Sequence, residues 1–394
     1  MQSKPSFLTL LLLISFASIN AVLPTPALPA ISQFFGIAEN TTQQIITWFL
    51  VGYALGQLIY GPIANRFGRK PALYSGIGLQ IFSSLLCVYA GVINHYSLLP
   101  TSRFLAALGS GVGLKMTYTI VNESYEPQVA TQKVSYLMLS FAIAPGLSIA
   151  LGGILSTHFG WQSCFIASAI YGLILLLMTT RLPETKTELH LDAFKWKHLV
   201  HGYVSQFKNP TLIRGAILLG GGTCFTYVFA AVAPFLAIDL MGMKPSAYGM
   251  ANILPSVGLV LGSIFSANLS KKHSPHFGIL LGILMGACSS VLISLALALH
   301  EPPLVALFLP MIINYFGLAL IISNASTFAM SQVEDKAHGS AVMSFINMGI
   351  ATIAVLSLSF LPVTKMLLPA TFGLVVTIML VVFSMLRAEE RPSS

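Results

Sequence analysis

The chain has 394 residues, of which 55% are hydrophobic and only 8% charged, with a formal net charge of +8. An ordinary soluble domain carries about 25% charged residues, so water is not the main solvent here, and the apolar runs leave no stretch for an independent soluble core. The Lys and Arg sit in short clusters between those runs, with no basic helix or aromatic-interleaved patch, which excludes nucleic acid as a partner.

Taking about 20 apolar residues as one crossing, spans are predicted at 7–31, 44–64, 72–93, 98–121, 134–157 and 163–180. Six more follow at 213–238, 247–269, 277–299, 303–328, 340–362 and 366–386. The first run follows Lys4 as a secretory leader would, but no small-residue cleavage site comes after it, and it is read as a retained helix. The long polar segment Arg181 to Lys208 separates two halves, and its Phe194, Trp196, Leu199 and Tyr203 predict a short interfacial helix. The expected division is a bundle over 1–185, a cytoplasmic linker over 186–210 and a second bundle over 211–394. Cys87, Cys164, Cys224 and Cys288 lie in apolar segments without CxxC spacing and read as packing residues. His95, His158, His273, His276 and His300 lie near span ends without metal-ligand spacing, so neither metal nor cofactor is expected.

Orientation follows from basic residues, which are retained on the cytoplasmic side of short loops. With a cytoplasmic N-terminus, only Lys244 and Lys365 of the 20 Lys and Arg fall outside, and Arg103 and Lys115 fall within spans. The other sixteen are inside, which predicts a multi-pass inner-membrane protein with both termini cytoplasmic. A weak repeat agrees. Ala64-Asn65 followed by Arg69-Lys70 recurs as Ala267-Asn268 followed by Lys271-Lys272, and Ser140-Phe141 recurs as Ser344-Phe345, at offsets of 203 and 204 residues. The predicted fold is therefore an all-α membrane protein of twelve transmembrane helices in two pseudo-symmetric six-helix bundles. Duplicated halves with a site at their interface are a transporter architecture.

Between spans two and three stands Gly61-Pro62-Ile63-Ala64-Asn65-Arg66-Phe67-Gly68-Arg69-Lys70-Pro71, a tight basic turn in which glycines permit close backbone approach. It resembles the GxxADRxGRR loop of the major facilitator superfamily, with Asn65 where the family has Asp. That resemblance implies that Gly61, Asn65, Arg66, Gly68, Arg69 and Lys70 latch the two halves in one state, more weakly for want of the acid. Arg103-Phe104-Leu105-Ala106-Ala107-Leu108-Gly109-Ser110-Gly111, running on to Asn122-Glu123, resembles the family's RxxxGxG helix, which implies coupling roles around Arg103, Ser110 and Glu123. Ala144-Pro145-Gly146 and Gly152-Gly153 resemble the glycine and proline signature of the drug:proton antiporter branch, with Ile149 in place of its second proline. Phe159-Gly160-Trp161, Leu182-Pro183-Glu184-Thr185 and Ala233-Pro234-Phe235 are similar to the Bcr/CflA-like members of that branch. Pro24-Thr25-Pro26-Ala27-Leu28-Pro29-Ala30-Ile31 resembles the branch's DxYxPxLPxI, but its acid is Val22 here.

None of the 12 acidic residues falls near the centre of a predicted span: Glu39, Asp239 and Glu301 belong at the outer edge and the others at the inner edge or beyond. Against that stand two intramembrane cations, Arg103 and Lys115, about 18 Å apart along one helix. Tyr118 and Asn122 follow Lys115 at i+3 and i+7, so one polar stripe faces a common side. An intramembrane charge is a functional-site hypothesis by default; the alternative for each is snorkelling to the headgroups. Asn20, Tyr53, Gln57, Tyr227 and Asn314 are further candidate solute contacts, since their helices resemble cavity-lining ones in the family. Gln80, Asn252, Asn324 and Asn347 read chiefly as cross-helix bonding groups.

The resemblance implies a monomeric, proton-coupled exporter of a small organic solute by antiport, in contact with lipid. The positive side chains imply an alternative, a carrier of an anionic metabolite or siderophore in either direction. There is no GxxxxGK[ST] loop for nucleotide use. Clustered His, Asp or Ser/Lys groups at one depth, which a membrane enzyme needs, are missing too, and no appended output domain suggests a sensor.

Overall fold

Residues 5–185, 204–333 and 336–389 are described in the computed structural model. Their secondary structure is helical throughout. The first half comprises α1 (Phe7–Phe35), α2 (Glu39–Phe67), α3 (Arg69–Val92), α4 (Leu98–Ser124), α5 (Pro127–Phe159) and α6 (Gln162–Thr179). The second comprises α7 (Pro210–Leu240), α8 (Pro245–Leu269), α9 (Pro275–Ala298), α10 (Leu304–Met330), α11 (Lys336–Leu358) and α12 (Leu367–Glu389). Eleven of these are long and apolar enough to cross a bilayer, and in α5 the described apolar stretch is Ile143–Phe159. The interfacial helix expected around Phe194, Trp196, Leu199 and Tyr203 lies outside the described residues.

The helices overrun the predicted spans mainly at the basic end, where α2 reaches Phe67, α3 starts at Arg69 and α5 starts at Pro127. Hydropathy marks the hydrocarbon slab, whereas helical hydrogen bonding continues past it. Within α1 the regular helix stops at Val22 and resumes at Leu28. Pro24 and Pro26 each lack an N–H, so the α-helical ladder cannot be continuous there. Thr25 Oγ1 donates to the Val22 carbonyl at 2.8 Å and repairs part of the gap.

The two halves repeat each other helix for helix. In the first, α4 packs on α2 and α3, α3 on α6, and α1 on α5; in the second, α10 packs on α8 and α9, α9 on α12, and α7 on α11. Across the halves α5 packs on α8 and α2 on α11, again an equivalent pair of contacts. Without a hydrophobic force between helices in lipid, such pairs depend on close van der Waals approach. Gly52 and Gly56 face the carbonyls of Phe104 and Leu108, and a Cβ on Gly56 would stand 2.6 Å from the latter oxygen. Gly258 and Gly262 meet the carbonyls of Ile312 and Phe316 in the same way. Each half thus carries a small-xxx-small stripe on its second helix, seated on the backbone of its fourth.

Gly56→Leu and Gly262→Leu are each expected to cost about 3 kcal/mol or more by overpacking against backbone. Gly78→Leu, whose Cβ meets nothing within 4 Å, serves as the control. Thermal melting of purified protein, with yield of monodisperse material, distinguishes them; equal behaviour of all three would contradict the packing account.

Candidate functional site

A cavity of about 1700 Å³ lies between the halves. Its walls come from α1, α2, α4 and α5 on one side and α7, α8, α10 and α11 on the other; α3 and α9 contribute only their first residues, Arg69 and Pro275. Asn65, Arg69, His273, Thr327 and His338 line the end nearest the basic turns, where the cavity is open. At the opposite end α5 and α8 close on each other through backbone. A Cβ on Gly249 would lie 2.7 Å from the Ile149 carbonyl oxygen, and one on Gly153 would overlap the Pro245 carbonyl. Gly146 similarly leaves room for the Ser256 hydroxyl, whereas Gly152 admits the Leu23 carbonyl and so packs α5 on the break in α1.

Lys115, Tyr53, Gln57, Tyr118 and Tyr227 all line this space, as do Gly61, Asn65, Pro145 and Gly146. The Lys115 ammonium donates to the Gln57 carbonyl at 3.3 Å. It lies against Gly61, where a Cβ would come within 2.6 Å of Nζ. Glycine at 61 therefore makes the slot that holds the ammonium beside α2.

Of the other residues expected to contact or couple the solute, Arg103, Asn20, Ser110, Asn314 and Glu123 do not line the cavity. The Arg103 side chain is 2% exposed. Its guanidinium donates from Nη1 to the Asn20 carbonyl at 2.8 Å and from Nη2 to the Ala21 carbonyl at 3.0 Å. Asn20 is four residues before Pro24, so its carbonyl has no helical donor, and the guanidinium fork takes that role at the negative end of the first segment of α1. The Phe49 ring covers the cation, 4.2 Å from Cζ to the centroid. Asn20 donates to the Phe16 carbonyl and accepts from Gln80 Nε2, both at 2.8 Å, and is thus spent on cross-helix bonding. Ser110 returns its hydroxyl to the Ala106 carbonyl, and Asn314 is buried outside the cavity wall that its neighbour Tyr315 lines.

Glu123 belongs to the basic turn instead. Arg69 reaches it from Nη2 at 2.6 Å and from Nε at 3.2 Å, while Nη1 donates to Asn65 Oδ1 at 3.0 Å. Glu184 accepts from the backbone N–H of Arg69 and of Lys70, each at 2.9 Å, and so caps α3. Lys70 Nζ donates to the Thr180 carbonyl at 2.9 Å. Gly68 joins α2 to α3 at φ 101°, which a side chain would resist, and a Cβ there would crowd the Glu184 carboxylate. Among the described residues the side-chain partners of Arg69 all belong to the first half, so Arg69 ties α2, α3 and α4 together.

The cavity also takes in Val22, Thr223, Asn252, Ser256, Tyr315, Asn324 and Asn347. Among these, Tyr315 went unremarked in the sequence and Asn252, Asn324 and Asn347 were read as structural. The signal for the asparagines was their intramembrane polarity. No described Asp or Glu lines the space.

A solute-sized cavity between two equivalent bundles, open at one end and shut at the other, is the architecture of a membrane transporter. The chain is a transporter and not an enzyme. It belongs to the Major Facilitator Superfamily, whose profile matches residues 9–357. It is 24% identical to "Multidrug resistance protein D" of Escherichia coli (strain K12), over 94% of this chain and 92% of that one. It is also 24% identical to "Chloramphenicol resistance protein CraA" of Acinetobacter baumannii, over 82% of this chain and 78% of that one. Among solved structures, a D-xylose-proton symporter superposes with a TM-score of 0.75 at 14% identity, covering 95% of this chain and 96% of that one, which speaks for the fold alone.

Two outcomes follow from the geometry. Arg103→Gln is expected to destabilise the protein by about 2–4 kcal/mol, since it strands buried carbonyls, while leaving the ranking of solutes by affinity unchanged. A changed ranking at unaltered melting temperature would return Arg103 to the solute path. Gly153→Leu is expected to wedge α5 from α8 and raise labelling of a cysteine at Val22 by an impermeant maleimide from the closed side by about tenfold, an opening bias of roughly 1.4 kcal/mol.

Proposed function

We propose that this chain exports a small organic solute across the inner membrane by rocking its halves around the central cavity, with both termini and the open mouth cytoplasmic. The observation that carries the reading is the cavity itself, lined by both halves and accessible from the end where the basic loops cluster. Basic loops stay in the cytoplasm, so solute enters this conformation from inside the cell. The resistance proteins named above support export as the direction, and the duplicated fold is sufficient for action as a monomer.

The ion gradient is expected to supply the energy. Proton coupling in this chain has no first-helix acid to use, because Val22 stands at that place and lines the cavity. Titratable side chains that do line it are Lys115 and the mouth histidines His273 and His338. That arrangement favours, as a second reading, a carrier that exchanges or releases anions.

Inverted membrane vesicles with an imposed gradient give the test. Chloramphenicol, dansylglycine, dansylamide and dansylcadaverine are offered outside, and at least one is expected to accumulate about threefold over vesicles lacking the protein. Equal accumulation of all four with and without the protein would sink the export reading.

A further inference from the structure

We infer that the transported solute is a monoanion with an apolar, planar body, its carboxylate or equivalent acid seated on Lys115. With the cavity taken as the transport site, as proposed above, its charge content fixes the sign of the solute. Arg69 and Lys115 are the Arg and Lys side chains that line the cavity, and Glu123 neutralises Arg69. Lys115 has no acid partner among the described residues, and no described carboxylate lines the walls. One positive charge in a low-dielectric space is best matched by one negative charge; a cation would be repelled and a dianion would leave charge over.

Geometry makes the ammonium available. It is an NH₃⁺ group with three donors, and its one acceptor among the described residues is the Gln57 carbonyl at 3.3 Å. The remaining donors have the cavity before them, since Gly61 leaves the α2 side of the slot clear. Tyr118 lies one helical turn further along the same stripe of α4 and lines the same cavity.

The body of the solute follows from the rest of the lining. Tyr53 lies within electrostatic reach of Tyr118 and Tyr227, and Tyr227 of Tyr315, so phenol rings from both halves gather around one volume. Val22, Ile149 and Leu318 complete an apolar wall. Aromatic faces and aliphatic side chains take up a flat apolar body, with tyrosine hydroxyls left for its polar edges. Val22, 4% exposed on α1, is then a specificity-determining position, because a carboxylate there would cancel the site's charge.

The test uses the full chain in nanodiscs and three probes that share one fluorophore: dansylglycine (anion), dansylamide (neutral) and dansylcadaverine (cation). Fluorescence titration is expected to rank them in that order. Lys115→Gln should weaken dansylglycine about tenfold and leave dansylamide unchanged, Lys115→Arg should retain the order, and Val22→Glu should reverse it. Dansylamide binding reports that each variant is folded, and Val22→Glu reads the charge rule independently should Lys115→Gln fail to fold. A wild-type preference for dansylcadaverine, equal binding of anion and cation, no binding of any probe, or full dansylglycine affinity in Lys115→Gln would each overturn the assignment. Ranked binding without uptake of any probe by inverted vesicles would instead sink the export reading and leave the charge selectivity standing.

Discussion

Hydrocarbon offers no water to hydrogen-bond a stray polar group, so every charge placed within the bilayer must find protein partners or face an aqueous space. Arg103 and Lys115 satisfy that constraint in the two available ways. The first is enclosed and spends its planar fork on two backbone carbonyls at the break in α1, one of them freed by Pro24; the second hangs in the cavity with one carbonyl acceptor among the described residues. Arg69 takes a third form of the same solution at the membrane edge, where Glu123 and Asn65 absorb its donors. The guanidinium suits the enclosed place because it is delocalised and forked, and the ammonium suits the cavity because it is a mobile point charge.

The arrangement of glycines follows from the same absence of a hydrophobic force. Within each half, Gly52 and Gly56 or Gly258 and Gly262 set one helix directly on the backbone of another, and these contacts hold the bundles rigid. Between the halves, Gly146, Gly153 and Gly249 make a contact of the same kind but confined to one end. A rigid pair of bodies joined by a small-residue seam at one end can part there without repacking any core, which is the mechanical requirement for alternating access.

Composition and basic-residue counts were enough to read the number of helices, their two-fold grouping and the basic turn, because these depend on solvent and on short-range chemistry. The Gly-xxx-Gly stripes at 52/56 and 258/262 were also present in the sequence but unremarked, and they mark the equivalent helices more firmly than the matched dipeptides do. Rotational phase was not legible. Asn314 and Tyr315 are neighbours, yet the first is buried away from the cavity and the second lines it, and one residue of helix turns a side chain by about 100°. The surroundings of Arg103 were not legible for a related reason: its partners are the main-chain carbonyls of Asn20 and Ala21, and only the first is marked in the sequence, by the proline four residues on.

Charge also bears on the source of energy. A bacterial membrane potential is negative inside, and moving one elementary charge through 100 mV is worth about 2.3 kcal/mol. A monoanion carried outward falls through that potential, which at equilibrium supports a gradient on the order of fortyfold with no proton exchanged. Lys115 would travel compensated while loaded and return as an uncompensated positive charge, so the inside-negative potential drives the cycle through the return step. A cation exporter has the opposite problem and must take in protons to overcome the potential, for which a titratable acid in the path is the natural device. For the monoanion exporter inferred above, Val22 on α1 and Lys115 on α4 would be two departures from the family pattern with one physical cause.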